Sequence, residues 1–575
     1  MRVRGRAALI EITTEVRAEE PAGASFIVDR CPFRYGEQIN LEVLDLEEDK
    51  VLNWPMVYIL ANEDSAYVGQ TTSVATRMTQ HGASVEKRDF TMVNIIFNEE
   101  FNSSVVTDYE HRLIGLMHAD GRYQLTNKND GMTDTNYFSK EQYSAMFESL
   151  WDELRSLELV DHTIDEIEES EVFKYSPYKG LTVDQRVALD KILAVIGRGI
   201  GDAAPLVVEG VPGTGKTILA IYLLKTLRDD PRFAGMNIRI LEPVTSLRET
   251  LRKALAGVRG LSPADIIGPA DLVKPEFGYR ANGERGFDIL LVDEAHKLKR
   301  RVNLGSQYRH FDKVNEKLGL PKGASQMQWV LEQARFPIFF YDPRQFVGPS
   351  CVTREDVESA LGEAVGNPIR LETQMRVRGG DDYLDYVFGI LNGGDPLPRP
   401  FEGYEFVLHE DFRDFVESFE RTYAAHDLSR MIAGYAWPWL TKPKKGSRAL
   451  AAPFDIEIEG VGLRWNCTSE NWVGKGADNQ AIAHEVGCIH SIQGYDLSYA
   501  YVIIGDDLVL DEESGRLRAN RAGYYDRNGY ATATDEELTR FIKNIYYVLM
   551  TRGVMGTHVY VANPVLRGYL RRFFV

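Results

Sequence analysis

Apolar positions along the chain follow three rhythms. Between Pro55 and Gln70 (PMVYILANEDSAYVGQ) two short apolar runs flank an acidic turn. Val57, Tyr58, Ile59 and Leu60 suit a strand, Asn62 to Ser65 a turn, and Ala66 to Val68 resume the strand before Gly69, so the stretch predicts a hairpin. Further on, KEQYSAMFESLWDELRSLEL sets Tyr143, Met146, Phe147, Leu150, Trp151 and Leu154 at helical spacing, a stripe that predicts a buried helix face. From about Lys174 the runs PLVVEG, NIRILEPV, FDILLVDEA, PIFFYDP, MIAGYAW, YAYVIIG and THVYVAN alternate with helical patterns, which predicts an α/β fold of parallel sheets covered by helices.

These rhythms divide the chain. Residues 1–53 give no signal; 54–135 predict a small mixed α/β unit; 136–173, with its acidic run DHTIDEIEESEVF, reads as a helical and acidic connector; 174–365 and 366–575 read as two parallel-sheet lobes. No repeat or low-complexity segment interrupts them.

Composition narrows the classes. A chain of 575 residues with 44% hydrophobic and 26% charged residues has the make-up of a globular protein of several domains. The net charge of −19, from 85 acidic and 66 basic residues, excludes a generally basic nucleic-acid binder, so any nucleic-acid path is local. Cys31, Cys351, Cys467 and Cys488 stand far apart, which excludes a zinc module or disulfide framework and suits reduced thiols in a cytoplasm. The apolar run near the N-terminus is broken by Glu11, and no segment nears the ~18 apolar residues of a membrane helix. A cytoplasmic protein with no membrane partner is expected.

The densest chemistry is GVPGTGKT, Gly210 to Thr217, between a strand and a helix. Such a loop wraps phosphates in backbone N–H groups contributed by Gly210, Gly213 and Gly215, while Lys216 reaches the β/γ-phosphates and Thr217 can ligate Mg²⁺. FDILLVDEAH then runs a strand into Asp293, suited to hold Mg²⁺, and Glu294, suited to polarise a water. Alone, that acidic pair could equally cap a helix; with the phosphate loop it points to NTP hydrolysis.

With these elements in place, the stretch from about 174 to 575 resembles superfamily 1 helicases, and more closely Schlafen-like P-loop ATPases of bacteria. The resemblance rests on LTVDQ, GVPGTGKT, EPVTSLRETL, VDEAH, YDPRQ, LETQMRVR, CIHSIQGYD and YYVLMTRGVMG in order. It implies two RecA-like lobes, adenine contact by Gln185, strand contact by EPVTSLRETL, a phosphate sensor at Gln345, nucleotide contact by Gln493 and Gly494, and arginine fingers at Arg376 and Arg552. Asp496 stands where many relatives carry Glu. The basic runs KLKRR (Lys297 to Arg301), TKPKKGSR (Thr441 to Arg448) and LRGYLRR read either as solvated faces or as phosphate-binding surface.

The opening hairpin resembles the paired tyrosine motifs of the GIY-YIG nucleases, with MVY (Met56 to Tyr58) as the first and YVG (Tyr67 to Gly69) as the second. The resemblance extends in order to Arg77 with His81 one turn on, Glu110 near a helix start, and Asn127. It implies phosphodiester cleavage: one Mg²⁺ or Mn²⁺ on Glu110, Arg77 on the phosphate, Tyr58 relaying the proton of a water, Tyr67 positioning it, and Asn127 bracing the site. Taken singly, each of these reads more readily as a structural residue than as a catalytic one. Together they imply a metal-dependent endonuclease fused to an ATP-driven motor acting on nucleic acid, DNA ahead of RNA, in genome maintenance or antiphage defence. An RNA-directed ATPase and nuclease, and an ATP-gated sensor with an inactive nuclease domain, are the alternatives, and a protein partner is left open.

Overall fold

The computed structural model describes residues 26–37, 44, 46–127, 137–169, 175, 181–200, 204–256, 258, 260–280, 284–374, 376–426, 428–441, 453–465, 472–473, 482, 484–492 and 495–575. They form two compact units, one of Met1–Leu181 with Thr250–Pro263 and one of Thr182–Glu249 with Ala264–Val575.

The first unit is built on a five-stranded sheet in the order β1-β4-β2-β3-β5: β1 (Ile27–Pro32), β2 (Met56–Ala61), β3 (Ser65–Thr71), β4 (Met92–Phe97) and β5 (Gln124–Leu125). The predicted hairpin is β2–β3, antiparallel, with Tyr58 opposite Gly69. Although 1–53 gave no signal, Ile27–Pro32 lies antiparallel along the whole of β4. On one face of the sheet Val57, Ile59 and Val68 meet Val105, Tyr109 and Leu113 of the helix Ser103–Asp120. The helix Lys140–Ser156 joins this core through Phe147, Leu150, Trp151 and Leu154. Leu159 and Ile167 are buried there too, so much of the stretch expected to act as a connector is core of this unit. Apolar burial of that kind is worth about 1.5–3 kcal/mol for each such side chain, more than a linker would forgo. On the opposite face Met56, Tyr58 and Leu60 pack with Val74 and Met78 of the helix Val74–Gly82.

The second unit holds two sheets. One is six-stranded in the order β11-β6-β10-β9-β7-β8: β6 (Leu206–Gly210), β7 (Ile238–Leu241), β8 (Ile266–Ile267), β9 (Phe287–Val292), β10 (Ala334–Tyr341) and β11 (Ile369–Leu371). All its pairings are parallel. Its edge strand β11 carries the first lobe past the boundary expected at 365/366, because Ile369–Leu371 pairs with β6. The other is seven-stranded, in the order β12-β20-β17-β13-β16-β15-β14, and parallel except at its last pair. Its strands are β12 (Glu405–His409), β13 (Arg430–Ala433), β14 (Ile456–Ile458), β15 (Val461–Trp465), β16 (Glu485–Gly487), β17 (Leu497–Ile504) and β20 (Gly553–Val561), with β18 (Leu508–Asp511) and β19 (Arg516–Ala519) forming a separate ribbon. Every residue of β17 is buried, the mark of a central strand covered on both faces. These are the two RecA-like lobes. Among the described residues no helix is long and apolar enough to cross a membrane.

Candidate functional site

In the first unit, hairpin register creates a seat for a phenol. Tyr58 stands opposite Gly69, and a Cβ at Gly69 would collide with the Tyr58 hydroxyl. That hydroxyl accepts Arg77 Nε–H at 3.1 Å and lies 2.7 Å from His81 Nε2, both on the helix Val74–Gly82. The Tyr67 ring completes the group, 6.3 Å from Tyr58 and 5.6 Å from His81, with the Lys87 ammonium over its face.

Burial, aided by the charges of Arg77 and Lys87, lowers His81 to about 4, so its imidazole is neutral near pH 7. Burial raises the Tyr58 phenol above its usual range, while the Arg77 hydrogen bond and charge oppose the rise. Besides accepting Arg77 Nε–H, the Tyr58 hydroxyl shares a hydrogen bond with the neutral His81 whose direction is set by the imidazole tautomer.

Glu110 sits on the helix Ser103–Asp120 and accepts the backbone N–H of Gln70. Burial raises its carboxyl to about 7, with that N–H and Arg77 opposing the rise. Asn127 lies beneath rather than beside these groups: its Nδ2 donates to Val68 O at 2.7 Å and its Oδ1 accepts Val68 N–H at 3.1 Å. It braces the second tyrosine strand. An open cleft of about 540 Å³ lies in front, lined by Gln70, Thr71, Ser73, Arg77 and, one turn before Glu110, Thr107. Tyr58, Tyr67, Arg77, His81 and Glu110 thus converge. Lys87 escaped the sequence reading, and Gly69, named there as part of the second tyrosine motif, proves to be the seat of the Tyr58 hydroxyl.

In the second unit the phosphate loop joins β6 to the helix Lys216–Asp229. Gly213 and Gly215 hold φ of +85° and +72°, the left-handed region glycine favours. A Cβ at Gly213 would strike Arg376 and Gln374, so the segment that carries these two residues lies directly on the loop. Lys216 Nζ donates to the carbonyls of Gly210, at 2.7 Å, and Val211, at 3.1 Å. Gln185 does not turn toward a base: its Oε1 accepts Thr182 N–H at 3.0 Å and its Nε2 donates to Thr214 O at 2.9 Å, leaving it fully buried as a brace of the loop.

Asp293 and Glu294 follow β9. Asp293 is fully buried; Thr217 bonds to it, and its Oδ2 has no hydrogen-bond partner. Burial and the charge of Glu294 raise its carboxyl. For Glu294 burial works the other way from its neighbours: His296, whose Nε2 lies 2.9 Å away, with Lys216 and Lys297, holds it below the usual range. A buried carboxylate oxygen without a donor, beside a threonine hydroxyl at a phosphate loop, fits a hydrated Mg²⁺. In the first unit a cation would rest on Glu110 alone, with water filling its remaining positions. Among the described residues no three His, Cys, Asp or Glu side chains are placed to hold a metal ion directly.

Arg376 forms an ion pair with Asp496, the residue at the departure from the family pattern. Arg552 is buried, donates to Tyr495 O at 3.2 Å, and lies near enough to Lys297 for their charges to repel. Gln345 donates to Asp342 Oδ2 at 2.7 Å and accepts Lys297 Nζ–H on its carbonyl at 3.3 Å. Its neighbours reach the second lobe: Arg344 to Asp385 at 2.8 Å, and Phe346 O from Asn544 at 2.8 Å. Gln493 and Gly494 lie outside the described residues.

A cleft of about 710 Å³ runs between the lobes, with Pro243 to Ser246 and Lys299 on one wall and Tyr435 and His490 on the other. The two aromatic rings stand 6.0 Å apart. The basic runs fare differently. Lys297 is buried, Arg300 donates to Pro349 O and Arg301 pairs with Asp312, so KLKRR is largely internal structure. In LRGYLRR, Arg571 pairs with Glu410 and Arg572 with Asp395. Of TKPKKGSR, all but Thr441 lies outside the described residues.

The family profile described as Schlafen group 3, DNA/RNA helicase domain matches residues 203–563. An uncharacterized protein of Saccharomyces cerevisiae, YPL245W, is 21% identical over 406 residues, 64% of this chain and 84% of the yeast protein. Among solved structures, Pif1 helicase from Candida albicans is 14% identical with a TM-score of 0.29, covering 68% of this chain and 99% of that one. Dbp5 of S. cerevisiae, bound to RNA and ADP BeF3, is 13% identical with a TM-score of 0.31, covering 68% and 92%.

Proposed function

Because the chain belongs to the Schlafen group 3, DNA/RNA helicase domain family, we propose that it is an ATP-driven nucleic-acid motor joined to a GIY-YIG-like endonuclease. The observation that carries the motor is the phosphate loop with Arg376 lying on it. The loop's N–H groups and Lys216 bind the nucleotide's phosphates, and Thr217 and Asp293 hold its Mg²⁺, which neutralises charge on the transferring phosphoryl group. Glu294, kept ionised by His296 and the two lysines, orients the attacking water. Arg376 and Arg552 stabilise the transition-state charge, and release of Asp496 frees Arg376 to do so. Gln345, flanked by two lobe-to-lobe bonds, relays phosphate occupancy to the inter-lobe cleft. There Tyr435 and His490 offer ring faces to unstacked bases, which supports a single strand as cargo.

For the nuclease, the convergence of Tyr58, Tyr67, Arg77, His81 and Glu110 beside an open cleft supports the reading. Arg77, which lines the cleft, grips the phosphodiester. Glu110 holds one Mg²⁺ or Mn²⁺, which offsets phosphate charge. Tyr67 positions the water, and the Tyr58–His81 pair, with a neutral imidazole at its end, accepts the water's proton by relay. DNA is favoured over RNA as substrate, in a bacterial genome-maintenance or antiphage setting.

The test is cleavage of single-stranded, duplex and branched DNA and of RNA, with Mg²⁺, with and without ATP. Lys216→Ala should stop ATP turnover and spare cleavage, and Glu110→Ala the reverse. Loss of ATP turnover in a folded Glu110→Ala protein refutes two separate sites; absence of cleavage of every substrate leaves the sensor reading.

A further inference from the structure

Motor strands β7 and β9 are parallel neighbours with Leu241 opposite Val292. The next residues, Glu242 and Asp293, therefore project side by side from their carboxyl ends, about 4.8 Å apart at the backbone. The pairing is held by Asp293 N–H donating to Leu241 O at 3.0 Å. Both side chains are fully buried. Glu242 Oε1 accepts Val244 N–H, but its Oε2, like Asp293 Oδ2, has no hydrogen-bond partner. Two adjacent buried carboxyl groups, each with a bare oxygen, are costly as charges unless one keeps its proton or a positive group stands between them.

Glu242 opens EPVTSLRETL, a segment read only for strand contact, yet the geometry points to it as a second carboxylate of the nucleotide's divalent-cation site. It acts through water: Asp293 and Thr217 take the cation, and Glu242 Oε2 accepts from a water of its shell. Mg²⁺ keeps several waters when bound, and those waters need acceptors. The inference rests on the ATP-binding reading of this cleft.

The experiment is an electron paramagnetic resonance titration of Mn²⁺ into the full chain with ADP. Glu242→Gln keeps shape and the acceptor for Val244 N–H while removing the charge. It should weaken Mn²⁺ binding in the ADP complex by about 10- to 100-fold, with ADP binding in EDTA unchanged. Mn²⁺ affinity within about twofold of the wild type overturns the inference, being below any outer-ligand effect. Glu242→Ala also drops the bond to Val244. If it alone weakens Mn²⁺, the carboxylate acts only by holding the loop and the inference again fails. A wild-type protein that takes up no Mn²⁺ with ADP overturns the nucleotide reading itself, a separate result.

Discussion

Replacing Glu110 by Gln tests the nuclease cleft through stability rather than turnover. Burial lifts this carboxyl from 4.5 to about 7. At about 1.4 kcal/mol per pH unit, the rise corresponds to about 3 kcal/mol, an upper bound because the side chain is partly open to solvent. The sign follows from proton counts. Between pH 4.5 and about 7 the native protein keeps a proton that the unfolded chain has released, so wild-type stability falls as pH rises through this window. Above it the full cost of a buried charge is present. Glutamine, which still accepts the Gln70 N–H, never carries that charge. Glu110→Gln should therefore match the wild type at pH 4.5 and melt higher at pH 8, by about 2–4 °C for each kcal/mol regained. Calorimetry of the full chain across that range is the assay. Mg²⁺ supplies the functional arm: about 10 mM on a site of about 1 mM affinity adds about 1.4 kcal/mol to the wild type at pH 8 and nothing to the variant. A melting difference independent of pH, or equal Mg²⁺ stabilisation of both proteins, refutes the reasoning.

Two further outcomes follow from the geometry. Gly69→Ala drives a Cβ into the Tyr58 hydroxyl and should lower cleavage by at least about tenfold while ATP turnover stays unchanged, since misplacing catalytic groups by about 1 Å costs about 10²-fold. Asn127→Ala removes both bonds to Val68 and should destabilise the first unit by about 1–3 kcal/mol, read as a lowered melting transition.

The sequence carried local geometry well. The hairpin was visible in two apolar runs about an acidic turn, and the phosphate loop in eight residues whose neighbours had to be strand and helix. Long-range partners were not visible. Nothing near Arg376 announces Asp496, because an ion pair across 120 positions leaves no spacing. Charge also misleads about exposure: Lys297 opens a basic run yet is buried against Gln345, and Gln185 sits where a base-reading amide was expected but spends both ends on backbone. The acidic stretch after Leu159 hid its anchoring residues, since Ile164 and Ile167 among carboxylates are too sparse to register as periodicity.

The strand Ile27–Pro32 has a practical meaning beyond completing a sheet. It covers the outer backbone edge of Met92–Phe97, a segment whose residues from Val93 to Phe97 are buried. Stripped of that cover, an apolar strand with open N–H and C=O groups is a template for self-association. A fragment begun at the visible motif, near Pro55, would keep every reacting group of the small domain and yet precipitate, whereas one begun ahead of Phe26 should stay dispersed.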